Sequence, residues 1–360
     1  MNFSVEQPIG LNELSEKLNL PVQLILDSNA EKLPGLLSPG QQVLIPGYVS
    51  DGAENVQHNK ITGLMGNRKK AYDYQALLDD LALLQTAYPF IQQNIIGTTV
   101  LKKPIYEVTV GSGPKKIHMN ASFHANEWIT SAALMQFLET YLLALIQEAS
   151  INGIPAIKLY EDTTLSIVPM VNPDGVDLVL ASPSSINDAY YQDALRINSF
   201  SDDFSSWKAN IRGVDLNNQF PAYWEIEKER KEPKSPAPRD YPGDQPLTEP
   251  EAKAMAALVK EKNFDRLVAF HTQGEEIYWG YMQKEPEESA VIVKEYAIQS
   301  GYKAVQDIDS HAGFRDWFIN EWKRPGFTVE LGIGANPLPI EQFDEICRKS
   351  EGIFWSTLYL

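Results

Sequence analysis

The chain has 360 residues, 43% of them hydrophobic and 22% charged, which is the composition of an ordinary globular protein with room for one large domain and a small one. A formal charge of −17 opposes nucleic acid and anionic membrane as main partners, so an acidic ligand has to be met by a few local cations. No apolar run reads as reaching the roughly 20 residues of a membrane span. The single cysteine, Cys347, excludes an intramolecular disulfide and a cysteine-based zinc site.

Residues 1–48 read as a self-contained unit. Leu11, Leu14 and Leu18 recur at helical spacing, and Val22, Leu24 and Ile25 suggest a second short helix. Gly40 to Pro46 then reads as a turn and a short strand stopped by proline. With Asn29 ahead of the ending LLSPGQQVLIP, the pattern resembles the LysM module. That resemblance implies a small βααβ fold that binds N-acetylglucosamine-containing glycans such as peptidoglycan. The polar, Gly/Asn-rich residues 49–70 read as a linker, with His58 solvated in it.

From 71 to 360 strand and helix patterns alternate. Expected strands are Ile105–Val110, Lys116–Ala121, Leu165–Met170, Leu267–His271 and Phe327–Leu331. Expected helices are Trp128–Glu148, Glu249–Lys262, Glu287–Ser300 and Ile340–Tyr359. Thr248-Glu249-Pro250-Glu251 reads as a capping box with proline in the first turn. The alternation predicts an α/β domain with a parallel or mixed β-sheet flanked by helices. Residues 225–246, dense in charge and proline, read as a surface loop.

His124 and Glu127 lie three apart just after an apolar strand, and His271 ends another. In open α/β sheets the carboxyl ends of strands are where sites gather. Two histidines and a carboxylate with one open position make a catalytic zinc sphere rather than a closed structural one. HxxE alone arises by chance. The runs NPDGV (172–176), RGVDLN (212–217), TEPEA (248–252), FHTQG (270–274) and FTVELG (327–332) accompany it in order, and over 71–360 the chain resembles the zinc metallocarboxypeptidase family. The resemblance implies a mixed sheet flanked by helices and one zinc on His124, Glu127 and His271. It also implies Glu330 as general base and Asp215 as the carboxylate behind the first histidine. Lys208 stands for the cation at the oxyanion, with Arg212 as a further contributor.

Three departures bear on substrate. Asn217 and Asn218 occupy the place where the family holds a terminal carboxylate with an Asn-Arg pair, so that clamp has lost its charge. Ile308 falls where a tyrosine covers the substrate, with Asp309 and His311 close by. Arg315 falls at the base of the pocket for the residue after the scissile bond (S1′), where a guanidinium favours a side-chain carboxylate. With a glycan-binding unit, these features lead to the expected function: zinc-dependent hydrolysis of the γ-D-glutamyl–diaminopimelate bond in peptidoglycan stem peptides or muropeptides. The alternatives are a carboxypeptidase for acidic C-terminal residues and a non-catalytic cell-wall-binding protein. The opening MNFSVEQPIG has neither a basic nor an apolar stretch, so a cytoplasmic location with spore or cell-wall association is expected.

Overall fold

The computed structural model describes residues 1–29, 33–49, 59–64, 70–180 and 188–360. The N-terminal unit has strand–helix–helix–strand order, with Asn2–Ser4 paired antiparallel to Gln42–Leu44 and helices Leu11–Leu18 and Val22–Asp27 between them. Leu14, Leu24, Ile25 and Val43 are fully buried in it, which accounts for the helical spacing in the sequence. Asn29 fastens helix to strand: its side-chain amide donates to the Leu44 carbonyl at 3.0 Å and accepts the Leu44 N–H at 2.9 Å.

This unit is packed against the rest of the chain. Its buried residues merge with the main core. The Tyr160 hydroxyl donates to Asp27 at 2.7 Å, and the Gly47 N–H donates to the Ala87 carbonyl at 2.8 Å. The described part of the expected linker makes ties of its own. Tyr48–Val49 pairs with Asn59–Lys60, and the Lys60 ammonium donates to the Ile146 carbonyl at 2.8 Å. His58 lies outside the described residues.

Among the described residues the central sheet has eight strands. In chain order they are β1 (Gln92–Thr98), β2 (Pro104–Val110), β3 (Lys115–Ala121), β4 (Thr163–Val168), β5 (Arg266–His271), β6 (Glu276–Trp279), β7 (Lys303–Gln306) and β8 (Gly326–Glu330). Their spatial order is β7-β6-β8-β5-β3-β4-β2-β1. The inner four, β8-β5-β3-β4, run parallel, while β6 and β2 join them antiparallel. Alternation along β5 serves both faces. Val268 and Phe270 join the core under helices Ile129–Ile146, Glu288–Ser300 and Phe343–Tyr359, whereas Leu267 and Ala269 join the core under Pro250–Lys262 and Phe314–Trp322.

Several sequence expectations need correcting. Strands β1, β6 and β7 carry too few buried residues to show as apolar runs. The charged stretch 225–246 opens inside a helix, Trp224–Arg230, whose Trp224 and Glu227 are buried. Thr248 does not cap the helix that starts at Pro250: its N–H and hydroxyl both donate to the Gln219 side chain, and Glu249 stands at the cap position without a side-chain capping bond. Residues Ala125–Ile146 are long and apolar enough to cross a membrane, but 83% of the apolar 18-residue window within them is buried, so that apolar surface is used in the core.

Candidate active site

Four parallel strands deliver their C-terminal ends to one edge of the sheet, and the predicted residues gather there. His124 follows β3, His271 ends β5 and Glu330 ends β8, with His271 and Glu330 in direct register. A 3-10 turn, Ala125–Glu127, swings Glu127 back toward His124 before the long helix begins. The NPDG stretch explains how the loops are held. The Asn172 side chain accepts the Gly175 N–H and donates to the carbonyls of Phe123 (3.3 Å) and Ala209 (3.0 Å). It thereby joins the His124 loop to the Lys208 loop, and the Ala125 N–H donates to the Lys208 carbonyl at 3.0 Å.

The donor atoms converge. His124 Nδ1 lies 2.9 Å from Glu127 Oε1 and 3.2 Å from His271 Nδ1, and His271 Nδ1 lies 3.1 Å from Glu127 Oε2. All three ligand atoms fall within 4.8 Å of one another. Two facing imidazole nitrogens share at most one proton, so the arrangement calls for a cation between them. A tetrahedral zinc with bonds of about 2.0–2.1 Å has ligand–ligand edges of about 3.3–3.4 Å, which fits these spacings. Behind the cluster, His124 Nε2 meets Asp215 Oδ1 at 3.3 Å, which fixes the tautomer that turns Nδ1 forward. Asp215 is itself held by the N–H groups of Asn217 and Asp240.

Electrostatics point the same way. Burial opposes a charged His124, but Glu127 and Asp215 outweigh it and raise its pKa to about 9. Burial likewise opposes a charged Lys208, yet Glu127, 3.0 Å away, raises it. Glu127 and Asp215 are held below the ordinary carboxylate range. Glu330 shifts upward instead, through burial first and then the nearby Glu127 carboxylate. The site therefore pairs a carboxylate pinned in its charged form with one that holds a proton readily.

The cluster opens into a cavity of about 290 Å³. Lys208, Asn217, Asn218 and Arg315 all line it. Arg315 is buried, its Nε donates to Asp316 at 3.0 Å, and its Nη1 has no partner among the described residues. Asn217 uses its side-chain oxygen on the Phe314 N–H, which fixes the turn into Arg315. Arg212 is a correction. It lies along a separate open hollow with Tyr190 and Pro236, 46% of its side chain is exposed, and it faces Glu249 at 3.5 Å. Asn210 closes the Arg212-Gly213 turn, its side-chain oxygen accepting the Arg212 and Val214 N–H groups.

Sequence reasoning missed two kinds of residue. Thr272 and Asn336 hold Glu127, through the Thr272 N–H to Oε2 (3.2 Å) and Asn336 Nδ2 to Oε1 (3.3 Å). Arg230 and Lys231 line the cavity from the segment expected to be a surface loop. Thr272 was legible as the neighbour of a ligand, but Asn336 carried no local pattern.

Comparison with known proteins agrees with this geometry. The family model described as zinc carboxypeptidase matches residues 77–351. The chain belongs to the M14 zinc carboxypeptidase family. This peptidase is 47% identical, over the whole length of both chains, to the gamma-D-glutamyl-L-diamino acid endopeptidase 1 of Lysinibacillus sphaericus. It is 25% identical to rat carboxypeptidase B, covering 72% of this chain and 63% of that protein. Its fold matches bovine thrombin-activatable fibrinolysis inhibitor with a TM-score of 0.63 at 18% identity, covering 81% of this chain and 97% of the other.

Proposed function

We propose that this zinc peptidase hydrolyses the γ-D-glutamyl–diaminopimelate bond of peptidoglycan stem peptides, using one zinc per chain on His124, Glu127 and His271. The observation that carries the reading is the Arg315 guanidinium: buried, lining the cavity, and with Nη1 unpartnered. Diaminopimelate presents a carboxylate at the end of its side chain, which that donor can take. The relative named as a gamma-D-glutamyl-L-diamino acid endopeptidase, similar along its whole length, supports a bond between γ-D-glutamate and a diamino acid.

Zinc, when bound, lowers the pKa of a water and polarises the scissile carbonyl. With zinc bound, Glu330 in its carboxylate form would take the proton from the attacking water and pass it to the leaving amine. Lys208 supplies positive charge where the oxyanion develops, although without the two-point fork of an arginine. Asp215 keeps His124 turned forward. Residues 1–48 act as a LysM-type glycan-binding unit and 71–360 as the catalytic domain, which places the protein's work at the cell wall or on fragments released from it.

The test compares peptides with diaminopimelate or lysine after γ-D-glutamate, which differ by one carboxylate. Wild type should prefer diaminopimelate, and Arg315→Met should lose most of that preference, on the order of 2–5 kcal/mol, because truncation leaves the diaminopimelate carboxylate without its cation. Equal loss on both peptides would make Arg315 purely structural. Preferential release of glutamate from ordinary α-linked peptides would favour an acid-specific carboxypeptidase instead.

A further inference from the structure

Arg230 ends the helix Trp224–Arg230 and lines the same cavity as Arg315. A buried carboxylate fixes it from behind: Glu227 Oε2 accepts Arg230 Nε at 2.7 Å and the His311 N–H at 3.1 Å. The outer edge of the guanidinium grips Asp309, with Nη1 to Oδ1 at 2.9 Å and Nη2 to the carbonyl at 2.8 Å. The Asp309 side chain is 91% exposed, so this outer ion pair is weak and readily exchanged, unlike the buried one behind it. The next residue, Ser310, donates to Asp316 Oδ2 at 3.4 Å, and Asp316 Oδ1 holds Arg315. Two consecutive residues, Asp309 and Ser310, thus link two guanidinium groups on one wall. Asn218, which lines the wall as well, contributes no charge.

We infer that Arg230 is a second carboxylate-reading residue of the pocket, and that the Asp309 carboxylate stands where a substrate carboxylate docks. Resting on the function proposed above, the ligand is a residue after the scissile bond that carries two carboxylates. Arg315 takes the one at the end of its side chain and Arg230 takes its own α-carboxylate. Peptides that end at the diamino acid are then better substrates than those that continue beyond it. The clamp charge absent at Asn218 is supplied from a different element.

The experiment uses the zinc-loaded full chain and γ-D-glutamyl-diaminopimelate peptides with the α-carboxyl either free or amidated. Wild type should show a KM lower by about tenfold for the free acid, with similar kcat. Arg230→Gln should bring that ratio toward one, and Arg230→Lys should keep part of it. Asp309→Asn removes the competing carboxylate and should widen the ratio. The opposite signs are decisive, because an ion pair that merely holds the loop would move Arg230→Gln and Asp309→Asn in the same direction. That result, or equal KM values for the two peptides in wild type, overturns the inference while leaving the scissile bond as assigned. Cleavage of neither peptide overturns the assigned bond and this inference with it.

Discussion

Two imidazole nitrogens 3.2 Å apart, each also within reach of Glu127, favour a cation at their centre over any neutral packing. His271→Ala removes one donor and should reduce bound zinc from one per chain to a trace, measured by metal analysis after gel filtration. Full activity in a chelated, metal-free preparation would sink the assignment. Glu330 differs in kind, because burial and the neighbouring Glu127 carboxylate both disfavour its charged form. Glu330→Gln should keep zinc and substrate binding while kcat falls by roughly 10²–10⁴. A near-normal kcat in that variant would require another base.

Close approaches between elements position these side chains. A Cβ on Gly175 would lie 2.6 Å from the Asn172 amide nitrogen and 2.8 Å from both Ala125 Cβ and the Ala209 carbonyl. Gly175→Ala should therefore cost about 1–3 kcal/mol and also loosen metal binding, since Asn172 joins the His124 and Lys208 loops. Gly97→Ala is the control. Its Cβ would meet Ala254 at 2.6 Å, far from the metal loops, and should lower Tm without changing zinc affinity. If both variants kept wild-type affinity, the Asn172 link would not be what positions His124. Glu251 shows the same coupling through charge. It accepts the Val100 N–H at 3.0 Å from the first turn of its helix, and burial, then Asp174 and Glu249, raise its pKa to about 7. A raised carboxyl pKa contributes stability that is fully present below its unfolded value and lost as pH rises through the folded one. Tm should then fall between about pH 4.5 and 7, and Glu251→Gln should flatten that fall. An equally steep decline in the variant would assign the pH dependence to other groups.

Over the whole molecule, the N-terminal unit and the site lie at opposite ends of one helix. Glu127 precedes the first turn of Ile129–Ile146, and Gly47 presses on Ile146 at its far end. Eighteen residues span about 27 Å, which sets the Gly47 contact well apart from the metal ligands. Deleting residues 1–48 should leave kcat on small soluble peptides close to wild type at low temperature and weaken retention on insoluble peptidoglycan. It should also lower Tm by several degrees, because it strips an apolar face and leaves the Tyr160 hydroxyl without Asp27. An unchanged Tm would mean the docked surface contributes little. Unchanged retention would remove the glycan-binding role.

The sequence by itself determined the chemistry at the sheet edge. Ligand spacing, apolar strand runs and the ordered motifs are local, and a parallel sheet brings the carboxyl ends of its buried strands together whatever the loops do. His124, Glu127 and His271 were legible for that reason, whereas Glu330, Asp215 and Lys208 followed from the resemblance to the family's motifs. Strands with few buried residues, such as β1 and β7, left no apolar run to read. Tertiary structure alone decided the pocket wall. Arg212 and Arg230 are both arginines in polar surroundings, and no local pattern separates them. The turn held by Asn210 carries Arg212 to another surface, while buried Glu227 holds Arg230 at the cavity. The same holds for residues 1–48, whose own spacing predicted their helices but not that their apolar side chains would merge with the main core or that the Gly47 N–H would bond the Ala87 carbonyl. Side-chain type and period are written locally, but which charge faces the substrate depends on contacts between residues far apart in the chain.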